Sequence, residues 1–195
     1  MIINLHRVKN LSFILIDEFF SSEELIEVSQ EIVDLKRFSL GGDKTKTALG
    51  ADGELKKTGT GLFLDDLYVK NRDASAILQA SRKLFSKEVT SNCEELDAMF
   101  GFIRQSNSDC TLLNYYKEGH EYKPHRDISR ISAVTFIREG SFTGGEFYLP
   151  EQDIVIEAVN NRTVIFPSCV LHGAHPVRGY GTRISIAQFI NRTGP

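Results

Sequence analysis

Apolar positions along this chain fall into two regimes. Up to about residue 110 some recur three and four apart; beyond it they come in short runs divided by Gly, Pro and Asn. Residues 12–17 read as a β-strand. Ser21-Ser22-Glu23-Glu24 then opens a helix, because serine accepts from the free backbone N–H groups of a helix start and early acids oppose the helix dipole. Leu25, Ile26, Val28, Ile32, Val33 and Leu35 follow at helical spacing. Residues 39–61 have no period and are rich in Gly, Thr, Lys and Asp. They read as a long loop with a short hairpin at Ala51-Asp52-Gly53-Glu54, and loops of this length commonly cover or bind a ligand. Residues 74–89 read as a second helix with Ile77, Leu78, Leu84 and Phe85 on or near one face.

The second regime predicts strands at 111–116, 120–127, 131–137, 145–149, 154–159, 163–167, 170–177 and 183–190. Eight short strands in about 80 residues leave almost no room for helices and imply a β-sandwich or barrel. No linker separates this part from the helices, so the helices are expected to buttress a sheet. The expectation is one domain over 1–195, with an α/β support region over 1–110 and a β core over 111–190.

Composition narrows the setting. A chain of 195 residues, 41% hydrophobic and 25% charged, is an ordinary globular domain. A net charge of −3 gives no strong pull toward nucleic acid or an anionic membrane. Cys93, Cys110 and Cys169 make no CxxC pair and no disulfide framework, which fits a reducing, cytoplasmic setting. Cys169 reads as a buried apolar residue. The first 20 residues lack a signal-peptide pattern, and no apolar run approaches the roughly 20 residues that cross a bilayer. Lys44, Lys46, Lys56 and Lys57 read as a solvated loop.

Chemistry enters with His125-Arg126-Asp127. Residues two apart on a strand share a side, so His125 and Asp127 converge while Arg126 points away. An imidazole and a carboxylate on one point are two-thirds of a facial triad, the arrangement that suits non-haem Fe(II) with open positions. A third ligand must come from His172 or His175. Three residues apart, they face opposite sides of a regular strand. His172 is preferred: it sits mid-strand with Gly173 beside it, whereas His175 precedes Pro176 and reads as a surface or supporting histidine. Arg183 opens the last predicted strand and Ser185 shares its face. An arginine fork binds a carboxylate by two parallel hydrogen bonds, so this pair can clamp the distal carboxylate of a dicarboxylic keto acid.

These residues carry a family pattern. Tyr116, Gly119, Tyr122, His125 and Asp127 are followed in order by Gly144-Gly145-Glu146, Ile165-Phe166-Pro167-Ser168, His172 with Pro176-Val177, and Gly181-Thr182-Arg183. This resembles the prolyl-4-hydroxylase-like branch of the 2-oxoglutarate and Fe(II)-dependent dioxygenases. The resemblance implies an α+β, mainly β fold: a double-stranded β-helix (jelly-roll, cupin-like) with buttressing N-terminal helices. It implies His125, Asp127 and His172 as iron ligands and Arg183 on the 5-carboxylate of 2-oxoglutarate. Tyr116, or Tyr115 if the strand register slips, would hydrogen-bond the co-substrate. Tyr122 would line the pocket, Gly144-Gly145 would supply backbone freedom and Glu146 would be structural. A one-residue bulge near Gly179-Tyr180-Gly181 would absorb the spacing from His172 to Arg183. The implied cofactors are Fe(II), 2-oxoglutarate and O2, with ascorbate as an aid to full activity.

The implied reaction hydroxylates an unactivated C–H bond and releases succinate and CO2. The substrate it favours is a prolyl residue in a protein or peptide; a free amino acid or small metabolite is the alternative. Asp127 favours hydroxylation, since related halogenases lack that carboxylate. A cupin-type metal protein without 2-oxoglutarate is a weaker fit, because cupins usually gather more histidines and a glutamate. A nucleic-acid demethylase of the same superfamily lacks support from a paired-arginine motif or a basic face. Neither a membrane nor a nucleic-acid partner is expected, and the sequence does not speak to oligomeric state.

Overall fold

A computed structural model describes residues 1–41, 44 and 53–191. The chain begins with an antiparallel hairpin of β1 (Ile2–Val8) and β2 (Leu11–Asp17). Helix α1 (Ser22–Leu35) follows. Ser21 caps it as the sequence predicts: its hydroxyl accepts from Glu24 N at 3.2 Å, and the Glu24 carboxylate takes the Ser21 N–H at 2.7 Å. Val28, Ile32 and Leu35 form its buried stripe.

Between α1 and the β-rich part lie β3 (Leu40–Gly41), β4 (Thr60–Phe63) and the short helices α2 (Leu64–Leu67), α3 (Ala76–Ser81), α4 (Lys87–Leu96) and α5 (Gly101–Gln105). The expected helix over 74–89 is therefore broken. Ser86 takes an extended conformation and its side chain accepts from Val89 N, so a local cap starts α4 where the periodicity suggested continuity. The expected loop over 39–61 contains strand residues at both ends, Leu40 and Gly41 in β3 and Thr60 and Gly61 in β4. Ala51 and Asp52 of the hairpin expected at 51–54 lie outside the described residues.

The remaining strands are β5 (Ser108–Tyr116), β6 (Tyr122–His125), β7 (Ile131–Glu139), β8 (Thr143–Gly144), β9 (Phe147–Leu149), β10 (Ile154–Ile156), β11 (Arg162–Pro167), β12 (His172–Ala174), β13 (Val177–Arg178) and β14 (Thr182–Asn191). They form a large antiparallel sheet in the order β1-β2-β11-β7-β14-β5-β4-β3, a smaller one in the order β10-β9-β12-β6, and a two-stranded β13-β8 pair. The predicted mainly-β fold with a helical buttress is what forms.

Strand parity explains the layers. Ile184, Ile186 and Ile190 of β14, Leu113 of β5 and Ile137 of β7 pack with α1, α3 and α4 in one core. Their neighbours Ala187, Leu112, Val134 and Phe136 point the other way and pack on Phe147, Leu149 and Phe166 between the sheets. Two faces of one sheet thus serve two cores, and the inner one holds the site. The spacing between His172 and Arg183 is absorbed in a turn, not in a bulge. Gly179 sits at φ 110°, and β14 then pairs without interruption with β5 and β7.

Candidate metal centre

His125 ends β6 and His172 begins β12, and the two are direct cross-strand partners. Asp127 lies two residues past the end of β6. Its convergence with His125 does not come from strand parity, as the sequence suggested. It comes from Asp127 N, which donates to Ser168 O at 3.0 Å and turns the chain back toward β11. His125 Nε2 then lies 3.7 Å from Asp127 Oδ1, and His172 Nε2 lies 3.5 Å from Oδ2. The three ligand atoms all fall within 4.8 Å of one another.

Backbone carbonyls fix both imidazoles. Lys123 O stands 3.0 Å from His125 Nδ1, and Val170 O stands 2.9 Å from His172 Nδ1. Such partners place the ring proton on Nδ1 and leave each Nε2 lone pair facing the carboxylate. Tyr122 stacks on His125 with centroids 3.6 Å apart, while Phe147 and Phe166 flank His172 at 5.5 and 4.7 Å. Burial lowers the His125 imidazole to about 3, lowers His172, and raises the Asp127 carboxyl. Two neutral imidazoles and a carboxylate that lacks a cation are a donor set that fits a divalent metal and leaves coordination positions open.

His175 does not join them. It pairs with Glu146 Oε2 at 3.3 Å and stacks on Tyr148 at 4.3 Å, which holds the loop between β12 and β13. Glu146 thus has the supporting place expected of it.

A serine group behind Asp127 was not read from the sequence. Ser132 Oγ donates to Asp127 Oδ2 at 2.6 Å, and Ser168 Oγ lies 2.8 Å from Ser132 Oγ and 2.6 Å from Ser129 Oγ. Ser132 occupies one carboxylate oxygen and leaves Oδ1 the freer one. Ser132→Ala should weaken Fe(II) binding about 10- to 100-fold with little change in fold, as measured by metal titration and thermal melting. Unchanged affinity would refute an orienting role.

The second cluster lies on the large sheet. Arg183 is 2% exposed and directly opposite Tyr116. Its guanidinium carbon lies 5.0 Å from the Tyr116 ring centroid and 5.1 Å from that of Phe136. Nε has no hydrogen-bond partner, and the Tyr116 phenol and Glu146 carboxylate act electrostatically on the guanidinium. Burial lowers its pKa and raises the Tyr116 phenol to about 12. Burial makes this cation costly. Ser185 hydrogen-bonds Tyr116 from the same face. Tyr115 points to the other face, where its hydroxyl donates to Ile32 O at 2.7 Å. Gly145 sits at φ 70°, and a Cβ there would come within 2.8 Å of Arg183 Cδ; the glycine pair gives room as well as backbone freedom.

Both clusters line one cavity of about 570 Å³. Two surrounding residues depart from the sequence expectation. Cys169 is exposed, because it sits at the tip of the turn between β11 and β12. Lys57 is 0% exposed, because the segment leading into β4 crosses between the two sheets. No helix among the described residues is long and apolar enough to cross a membrane.

Comparison with known proteins agrees with this geometry. Residues 110–191 match the family model described as the 2OG-Fe(II) oxygenase superfamily. No curated protein matches the sequence. Among solved structures, a Pseudomonas putida prolyl-4-hydroxylase aligns with a TM-score of 0.60 and 15% identity over 93% of each chain. A Trichoplax adhaerens prolyl hydroxylase, in complex with a hypoxia inducible factor oxygen degradation domain peptide, aligns at 0.63 with 16% identity, over 92% of this chain and 83% of that one. The viral collagen prolyl hydroxylase of Paramecium bursaria Chlorella virus-1, solved with 2OG, aligns at 0.57 with 14% identity over 93% and 96%. At such identities these structures speak to the fold. Together with the family match over residues 110–191, the shared prolyl-hydroxylase-like fold supports a 2OG-Fe(II) oxygenase, and that family implies Fe(II), 2-oxoglutarate and O2 as cofactors.

Proposed function

We propose that this oxygenase hydroxylates a prolyl residue in a peptide or protein, with iron held by His125, Asp127 and His172 and 2-oxoglutarate held by Arg183, Ser185 and Tyr116. The observation that carries the co-substrate assignment is the buried Arg183 guanidinium, whose Nε has no hydrogen-bond partner and which lines the cavity that holds the metal cluster. We also read residues 1–195 as one catalytic unit, because β2 pairs with β11 and β4 with β5 in a single sheet.

Bound iron and 2-oxoglutarate supply the oxidant: O2 is consumed, the keto acid becomes succinate and CO2, and one oxygen atom enters the substrate C–H bond. The chain's own groups do the placing. The carbonyls of Lys123 and Val170 keep both imidazoles facing inward, and Ser132 sets the carboxylate. Phe147 and Phe166 keep water from His172. Arg183 and Ser185 orient the keto acid from the far wall.

The prolyl reading is supported by the rest of the cavity wall. Phe63, Leu112, Val134, Ala187 and Phe189 form an apolar surface on the large sheet. It suits an uncharged ring whose flanking amides remain outside. A free amino acid would have to reach the polar rim of Lys56, Arg126 and Asn191 to pair its ammonium and carboxylate, because this wall offers them no partner.

The test is a succinate assay with Fe(II), ascorbate and O2, run against proline-containing peptides and free amino acids, with mass spectrometry for a gain of one oxygen. Peptide-dependent succinate with an oxidised proline is the expected result. Turnover on free amino acids alone would defeat the prolyl reading. No succinate, together with no 2-oxoglutarate binding by the iron-loaded protein, would defeat the site assignment.

A further inference from the structure

Lys57 is completely buried, although lysine is among the residue types least often found there. The backbone around it explains how it gets in. Lys123 N donates to Lys56 O at 2.8 Å and Thr58 N to Glu121 O at 3.1 Å, which ties this segment to β6. Three residues later Thr60 pairs with Tyr115 and Gly61 with Asn114 of β5. The segment therefore stitches the small sheet to the large one, and Lys57 projects into the seam. Its ammonium donates to Asn114 Oδ1 at 2.9 Å and lies 5.8 Å from the Tyr122 ring centroid.

Asn114 leads onward to the co-substrate wall, where its Nδ2 donates to Ser185 Oγ at 3.4 Å. An ammonium has donors only, so it accepts one orientation of the amide: Oδ1 toward Lys57 and Nδ2 toward Ser185. Gly61 closes the other side, since a Cβ there would lie 2.7 Å from Asn114 Oδ1. Ser185 Oγ thus accepts from Asn114 on one flank and meets Tyr116 on the other, beside Arg183. The donors run in one direction, from Lys57 through Asn114 toward the place where an anion would sit.

Burial of this ammonium is expensive and lowers its pKa to about 8. An apolar chain of the same length would fill the seam without that cost.

We propose that Lys57 is a positioning residue for the co-substrate: it sets the Asn114 amide and, through it, the Ser185 hydroxyl that receives a 2-oxoglutarate carboxylate next to Arg183. This rests on the 2-oxoglutarate site assigned above. Calorimetric titration of 2-oxoglutarate into the Mn(II)-loaded full chain tests both and separates them. Lys57→Met should raise the 2-oxoglutarate Kd about tenfold, while Mn(II) affinity without 2-oxoglutarate does not fall, since the Lys57 charge acts against a cation at His125. Lys57→Arg, which keeps the charge and the donors, should recover part of the loss. Asn114→Ala should raise the Kd by a similar factor, and adding Lys57→Met to it should change little more, as two members of one chain of contacts would. A folded Lys57→Met protein with wild-type Kd overturns the proposal, even with a lower melting temperature. If Lys57→Met does not fold, the Asn114→Ala result decides in the same way. Wild-type protein that binds Mn(II) but no 2-oxoglutarate instead overturns the site assignment itself.

Discussion

Replacing Asp127 with alanine is expected to weaken Fe(II) binding at least about a hundredfold and to abolish succinate formation. The reasoning starts from charge. His125 and His172 are held neutral by burial, so Asp127 supplies the only anionic donor of the cluster among the described residues. Loss of an outer partner of a ligand typically costs 10- to 100-fold in metal affinity, so loss of the charged ligand itself lies at or beyond the top of that range. Folding should respond differently. Without a cation, burial already works against the Asp127 carboxylate, so the metal-free variant should melt within a few degrees of wild type. Anaerobic iron titration and metal-free thermal melts check the two halves. Wild-type iron affinity in Asp127→Ala would remove Asp127 from the centre.

How much of this was legible in the sequence depended on how local each cause is. The α1 cap was readable because Ser21 and Glu24 lie three residues apart and act on each other. The pairing of His125 with Asp127 was readable from their spacing, although the stated reason failed. The strand ends at His125, and a backbone bond to Ser168 does what strand parity was expected to do. Tyr115 and Tyr116 could not be separated from alternation, because both faces of β5 are buried there and the polar-apolar contrast that sets register is lost. Only the partners, Ile32 on one side and Arg183 on the other, distinguish them. The burial of Lys57 was hidden from the sequence for a related reason. Its burial follows from where its segment crosses between two sheets, and an aperiodic stretch rich in Gly, Thr and Lys carries no sign of that crossing. Ser132 and Ser168 are close only because β7 and β11 are neighbours, which no short-range pattern reveals.

The Arg183 side chain sets function and folding against each other. Arg183→Met keeps the length and the apolar stem against Tyr116 and Phe136 but removes the fork. If the guanidinium receives the 5-carboxylate of 2-oxoglutarate, its loss leaves that carboxylate desolvated and unpaired. Truncation of one partner of a buried charge pair costs about 2–5 kcal/mol, which corresponds to a Kd roughly 30- to 4,000-fold higher. Metal binding should be unaffected, because Arg183 touches none of the three ligands. The ligand-free protein should become more stable or stay unchanged, since the wild-type structure buries this cation with Nε unpartnered. The same comparison should invert on loading. Saturating 2-oxoglutarate with Mn(II) should raise the melting temperature of wild type and leave that of Arg183→Met nearly where the metal alone puts it. A variant that keeps wild-type 2-oxoglutarate affinity would show that the buried guanidinium serves the fold and not the co-substrate. A variant that loses both 2-oxoglutarate and metal would show that the two walls of the cavity are not independent.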